Sequence, residues 1–259
     1  MIQFSKYQGA GNDFVIIDNR NKLILDELKV EYAKQLCARK FGIGSDGLIF
    51  IENSDAADFK MDFLNPDGSR SFCGNGSRCA VKFCADVKMI SAKNMTFDAI
   101  DGIHFAELIG NEVKIEMKDV NQVTQNPDSF FMNTGSPHYI KYKKSVSELN
   151  VVEEGRKIRY SEIYKDKGTN VNFVEELNDA HIKVRTYERG VEDETLACGT
   201  GVTACALSYA VKYDLKSGVI SINAVGGKLS VGFEHTDSIL TGIWLQGPAE
   251  FVFKGEINV

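Results

Sequence analysis

Cys73-Gly74-Asn75-Gly76-Ser77-Arg78-Cys79-Ala80-Val81-Lys82-Phe83-Cys84 and Cys198-Gly199-Thr200-Gly201-Val202-Thr203-Ala204-Cys205-Ala206-Leu207-Ser208-Tyr209 are two versions of one design. After each Cys-Gly-x-Gly the apolar residues recur at helical intervals: Cys79, Phe83 and Val87 in one, Val202, Ala206 and Tyr209 in the other. Each cysteine is therefore expected just before a helix N-terminus. Upstream of each lies an alternating, strand-like stretch, Phe59 to Leu64 and Ile182 to Tyr187, followed by a polar loop. The two cysteines stand almost half a chain length apart, as two equivalent halves require, so the pattern predicts a duplicated α/β unit. The boundary is expected near Asp119 to Gln125, where a polar run separates patterned segments. The halves are then 1–120 and 121–249, with a final strand near 250–259 assigned to the first.

A cysteine at a helix start has particular chemistry. The first backbone N–H groups of a helix have no internal partner and the helix dipole is positive there, so an anion is stabilised. A carboxylate suits that place, and the same field lowers a thiol's pKa and makes thiolate available near neutral pH. Glycines beside the cysteine let a ligand approach the backbone closely. Two such sites facing one another would grip a substrate carboxylate and set one sulfur on each face of the neighbouring carbon. That arrangement suits stereoinversion: one thiolate removes the α-proton and the opposing thiol returns a proton to the other face, with no cofactor. The remaining cysteines, Cys37, Cys79, Cys84 and Cys205, fall within apolar helical patterns and are expected as small core residues.

The bulk composition narrows the partners. Among 259 residues, 36 acidic and 30 basic side chains give a net charge of -6 without long runs of one sign, which argues against nucleic acid or an anionic membrane. A small molecule is the expected ligand. No apolar run approaches the roughly 18 residues of a spanning helix, and the N-terminus lacks a basic and apolar leader, so the expected compartment is the cytoplasm. Six cysteines there are expected as reduced thiols.

Other motifs fail on context. Gly42-Ile43-Gly44-Ser45-Asp46-Gly47 matches the dinucleotide-binding fingerprint formally, but a helical pattern precedes it and Leu48-Ile49-Phe50-Ile51 reads as a strand after it. The fingerprint needs the reverse order, so a turn closing a helix is expected. The cysteine spacings and the four scattered histidines fit no zinc pattern, and no metal is expected. There is no Walker-type loop and no G-x-S-x-G elbow.

The series Gly9-Ala10-Gly11-Asn12-Asp13-Phe14-Val15, Gly42 to Leu48, Asn65-Pro66-Asp67-Gly68, Cys73 to Gly76, Gly135-Ser136-Pro137-His138, Gly168-Thr169-Asn170, Tyr187-Glu188-Arg189-Gly190, Glu194 to Gly201 and Gly247-Pro248-Ala249 resembles the diaminopimelate epimerases along nearly the whole chain. The resemblance implies an α+β fold of two pseudo-symmetric α/β domains, each a sheet wrapped around a central helix, with the site in the cleft between them. It implies Cys73 and Cys198 as the acid/base thiols, and Gly74, Asn75, Gly199 and Thr200 as the carboxylate-binding residues. Asn12, Asn65, Asn170 and Arg189 match positions that hold the substrate, especially its distal end. His138 and Glu188 match positions that assist the thiols, Glu188 also touching substrate. It further implies conversion of LL-diaminopimelate to the meso form in lysine and peptidoglycan precursor synthesis, by a cofactor-independent homodimer.

Arg189 is suited to fork onto a carboxylate, asparagine offers both donor and acceptor, and His138 or Glu188 is suited to accept a thiol proton. The sequence departs from the family at two places. Ser136 stands where asparagine is usual, at a position assigned to the substrate's distal end. Val191-Glu192-Asp193 is one residue longer than usual before Cys198, so that loop is expected to differ locally. Three other functions compete: a related cofactor-independent racemase acting on proline, hydroxyproline or another amino acid, a redox protein cycling Cys73 and Cys198 through a disulfide, and a catalytically silent binding module.

Overall fold

In the computed structural model, which describes residues 1–237 and 239–258, the chain forms two compact units. One comprises Met1–Ile115 with the segment from Gly247 onward, the other Glu116–Gln246. The first contains, in chain order, β1 (Ile2–Gly9), β2 (Asn12–Asp18), α1 (Asp26–Cys37), β3 (Gly47–Glu52), β4 (Phe59–Leu64), α2 (Gly74–Asp86), β5 (Asn94–Ala99), β6 (Gly102–Ile109) and β7 (Glu112–Glu116). The second contains β8 (Val123–Gln125), β9 (Ser129–Asn133), β10 (Pro137–Tyr142), α3 (Val151–Arg159), β11 (Asn170–Asn178), β12 (His181–Glu188), β13 (Asp193–Thr195), α4 (Gly199–Lys212), β14 (Ser217–Ala224), β15 (Gly227–Thr236) and β16 (Ile239–Pro248). The last strand, β17 (Glu250–Ile257), returns to the first unit and lies antiparallel to β1, with Tyr7 opposite Phe251.

The two units share a connectivity. In the first, β2 pairs parallel with β3 across α1, β3 turns back antiparallel into β4, and β4 pairs parallel with β5 across α2. In the second, β10 pairs parallel with β11 across α3, β11 turns into β12, and β12 pairs parallel with β14 across α4. Parallel neighbours need a crossover of about a dozen residues or more, and in each unit helices supply both.

Each unit has one helix inside its sheet. In α2 every residue from Gly74 to Val81 is buried, and in α4 every residue from Gly199 to Ala210. Helices covered all round belong to a core, and these two pack on the strands of their own units. The other helix of each unit covers the outer face. Ala33, Leu36 and Cys37 of α1 pack with Val15, Ile17, Leu48, Phe50 and Leu64, while Val151 of α3 packs with Val171, Phe173 and Tyr187. Strands clothed on both faces read as continuous apolar runs, which accounts for Phe14 to Ile17 and Leu48 to Ile51.

The glycine-rich segment after α1 closes that helix, as its context predicts. The N–H groups of Gly42, Gly44 and Ser45 donate to the carbonyls of Ala38, Leu36 and Cys37, at 2.8, 2.9 and 3.1 Å. Gly44 has φ +79, and a Cβ on Gly42 would lie 2.1 Å from the Gln35 carbonyl oxygen. Val87, expected on the apolar stripe of α2, is instead its exposed C-cap, because the helix stops at Asp86. Among the described residues no helix is long and apolar enough to cross a membrane.

Candidate active site

Two groups of side chains, one in each unit, surround the helix-initiating cysteines. In the first unit Cys73 is the N-cap of α2, and its Sγ accepts from the N–H of Gly76 at 3.4 Å. Asn12, at the start of β2, places Oδ1 4.0 Å from that sulfur. Asn75 Nδ2 donates to the same oxygen at 3.3 Å, Asn12 Nδ2 donates to the Asp46 carboxylate, and Arg78 Nη2 donates to Asn75 Oδ1 at 2.9 Å. A guanidinium only donates and a carboxylate only accepts, so the two ends fix both amides. Asn12 must turn its carbonyl oxygen toward Cys73.

The carboxylates behind Asn12 are themselves held. Arg39 bridges Asp13 at 2.7 Å and Asp46 at 2.6 Å, and Lys6 pairs with Asp13 at 2.6 Å. Burial resists ionisation of Asp13, but Arg39 and Lys6 overcome it and hold the carboxyl below its ordinary range. Asn65, at the end of β4, donates within its own Asn65-Pro66-Asp67-Gly68 turn, to the Ser69 carbonyl and hydroxyl and to Ser71.

In the second unit Cys198 precedes α4, which opens with Gly199 and Thr200. Thr200 Oγ1 lies 3.5 Å from Cys198 Sγ, 2.9 Å from His138 Nε2 and 3.1 Å from Ser136 Oγ. Asn170, at the start of β11, donates to Ser136 Oγ at 3.2 Å and accepts from the Arg189 N–H at 2.9 Å. Arg189 is exposed at the end of β12 and donates to the Lys167 carbonyl. Glu188 is half-buried, opposite Asp193 in the β12–β13 ladder. The second unit thus draws Ser136, His138, Asn170, Thr200 and Cys198 into one connected group, with Arg189 joined through its backbone.

His138 is held in its neutral form. Its side chain is fully buried, and burial, with the Arg189 charge, pushes its pKa down to about 3. It is a neutral imidazole at ordinary pH. Asn172 Nδ2 sits 3.0 Å from His138 Nδ1 and also donates to the Tyr139 carbonyl at 3.2 Å. A carbonyl only accepts, so the amide is oriented with its N–H groups toward Tyr139 and His138. The other ring nitrogen, Nε2, faces Thr200 Oγ1 at 2.9 Å and Ser136 Oγ at 3.0 Å.

The lengthened loop before Cys198 is pinned. Glu192, with φ 58, accepts from the hydroxyls of Tyr187 at 2.7 Å and Tyr160 at 2.9 Å and from the Gly190 N–H at 3.1 Å. Burial opposes its ionisation, but these bonds and the nearby Arg159 hold its carboxyl below the ordinary range. The glycines of the two motifs are not equivalent. A Cβ on Gly76 would make ordinary contacts at 3.4 to 3.5 Å, whereas one on Gly201 would lie 2.6 Å from Asn172 Oδ1. Gly201 is required by packing inside the unit, without any ligand.

Cys37, Cys79, Cys84 and Cys205 are buried, and burial pushes all four thiols up, so they are protonated packing residues. Asp26, Glu52 and Asp62 converge as metal ligands would, but on the Lys29 ammonium, at 2.6, 2.7 and 2.9 Å. Arg78 and Asn172 were not singled out by sequence. Arg78 reads as a polar helix residue and Asn172 as one position of a strand, and only their burial distinguishes them.

The family model of diaminopimelate epimerase matches residues 4–125 and 130–252. The chain belongs to the diaminopimelate epimerase family. A diaminopimelate epimerase of Flavobacterium psychrophilum is 48% identical over 254 residues, covering 97% of this chain and 98% of that protein. One from Aquifex aeolicus is 39% identical, covering 99% and 98%. Solved structures share the family's fold at low identity. A phenazine biosynthesis protein of the PhzF family from Bacillus anthracis superposes with TM-score 0.80 at 15% identity, covering 100% of this chain and 99% of that one. A probable proline racemase from Agrobacterium radiobacter superposes at 0.72 and 14%, covering 100% and 93%.

Proposed function

We propose that this chain interconverts LL- and meso-2,6-diaminopimelate by proton transfer at the α-carbon, with Cys73 and Cys198 as the two acid/base groups. One observation carries the reading: in a chain of this family, each unit ends a polar loop in a cysteine that opens its buried helix. The thiolate of one cysteine takes the α-proton and becomes a thiol. The thiol of the other delivers its proton to the opposite face and becomes a thiolate, so protons balance and the reverse reaction exchanges the roles.

The α-proton is very weakly acidic, so charge developing on the α-carboxylate must be stabilised as it forms. The N–H groups of Gly74, Asn75, Gly199 and Thr200, at the positive ends of the two helix dipoles, are suited to that task. Asn12, Asn65, Ser136, Asn170, Glu188 and Arg189 complete the substrate-binding set in this reading, with Arg189 on the distal carboxylate. Ser136, already bonded to His138 and Asn170, supports the site from within the second unit.

The reading includes a homodimer acting in the cytoplasm, where amino-acid biosynthesis proceeds and thiols stay reduced. Exposed Phe251, Val252 and Phe253 on β17 support self-association, which sedimentation measures. The activity is tested by α-hydrogen exchange in deuterated water across a panel of amino acids. Exchange with both diaminopimelate isomers is expected. Exchange with proline and none with diaminopimelate would reject the reading in favour of the related racemases.

A further inference from the structure

We propose that Asn172 is a positioning residue that fixes the tautomer of His138, and that the resulting Nε2–H turns the Thr200 hydroxyl onto Cys198 as a donor to its thiolate. The inference deepens the proposed function, since it gives Cys198 its working environment.

The direction of each hydrogen bond follows from an anchored end. The Tyr139 carbonyl accepts from Asn172 Nδ2 at 3.2 Å, and Thr186 Oγ1 lies 2.9 Å from Asn172 Oδ1, so the amide does not flip. The same Nδ2 faces His138 Nδ1 at 3.0 Å, and a proton on Nδ1 would oppose one donor to another. The imidazole proton is therefore on Nε2, which faces Thr200 Oγ1 at 2.9 Å and Ser136 Oγ at 3.0 Å. Directed at Ser136, whose other lone pair takes Asn170 Nδ2, it leaves the Ser136 hydrogen to point at Thr200 Oγ1. With one lone pair of Thr200 engaged in either case, its own hydrogen is available for an acceptor. The candidates are Ser136 Oγ at 3.1 Å and Cys198 Sγ at 3.5 Å. Ser136 Oγ already receives Asn170 Nδ2, and a hydrogen bond to an anion is stronger than one to a neutral hydroxyl, so the thiolate takes it.

The assembly is rigid. Asn172, His138 and Thr186 are buried, and the Gly201 backbone lies so close that a Cβ there would stand 2.6 Å from Asn172 Oδ1 and 3.2 Å from the His138 ring. A polar group in such a place keeps one orientation, which an exposed asparagine does not.

The direct test is 15N NMR of the histidine ring in the full-length protein. His138 is expected to show a protonated Nε2 and a bare Nδ1 with no titration between pH 5 and 8. A protonated Nδ1, or titration in that range, would overturn the proposal. Alkylation of Cys198 by iodoacetamide, followed by peptide mapping against pH, tests the second half. Thr200→Val should slow alkylation at neutral pH by about tenfold, with its midpoint moved about one unit higher, and Thr200→Ser should restore it. Equal profiles for all three proteins would overturn the relay. Neither readout uses turnover, so failure of the epimerase reading leaves both results interpretable, and failure here leaves the exchange assay untouched.

Discussion

Arg78 Nη2 lies 2.9 Å from Asn75 Oδ1 inside the first unit, and the whole Arg78 side chain is withdrawn from water. Its Nε also donates to the Pro248 carbonyl at 3.2 Å, which ties α2 to the segment leading into β17. Burial pushes the guanidinium pKa down, yet the group serves as a fixed donor between two acceptors. Arg78→Met removes both donors and leaves two buried oxygens unmatched. A loss of about 2 kcal/mol of stability is expected, measured by urea denaturation, together with a fall in α-hydrogen exchange as the Asn75 and Asn12 amides lose their fixed orientation.

The motif glycines should separate in a stability assay. Gly201→Ala forces a Cβ to within 2.6 Å of Asn172 Oδ1 and is expected to destabilise by about 2 kcal/mol. Gly76→Ala meets only ordinary contacts, and alanine favours the helix by up to about 1 kcal/mol, so it should be neutral or stabilising. Thermal melts of the two variants check the contrast.

Lys29 is buried and ties α1 to β3 and β4 through Glu52 and Asp62, and Arg70 caps Asp62 at 2.7 Å. Lys29→Met leaves those carboxylates with less compensation and should cost about 3 kcal/mol. Burial raises the Asp62 pKa, but Arg70 and Lys29 more than offset this and hold it below its ordinary value. Because the folded pKa is depressed, this contribution is complete above the unfolded pKa of about 4 and is lost as pH falls through the folded value. Denaturation midpoints between pH 6 and pH 3 should show a smaller acid loss in Asp62→Asn than in the parent protein.

Glu192→Ala releases the loop before Cys198 from Tyr160, Tyr187 and the Gly190 N–H. Stability should fall by about 1 to 2 kcal/mol, and turnover should fall more than substrate affinity, because the loop sets where α4 begins. Separate kcat and KM values in the exchange assay check this.

The architecture was legible where the pattern is local. The alternation of Phe59 to Leu64 coincides with β4, and the Cys-Gly-x-Gly motifs fall at the starts of α2 and α4. The glycine-rich segment Gly42 to Gly47 was readable as a helix stop because the elements on either side have the wrong order for a nucleotide site. What stayed hidden depends on distant partners. His138 is kept neutral by burial and by the Arg189 charge, beside Asn172, 34 positions away, and Arg78 and Lys29 are charges whose burial no spacing reveals. Asn65 adds a role that its motif does not mark: its amide donates to Ser69 and Ser71 and shapes the loop that it opens.

The two-thiol mechanism is tested most directly by incubating LL-diaminopimelate with the protein in deuterated water and sampling before equilibrium. If one sulfur removes the proton and the other returns one, the early meso product carries solvent deuterium at the inverted carbon and the recovered LL substrate carries none. Deuterium appearing equally fast in recovered substrate, or interconversion surviving the joint replacement of Cys73 and Cys198 by alanine, would contradict it.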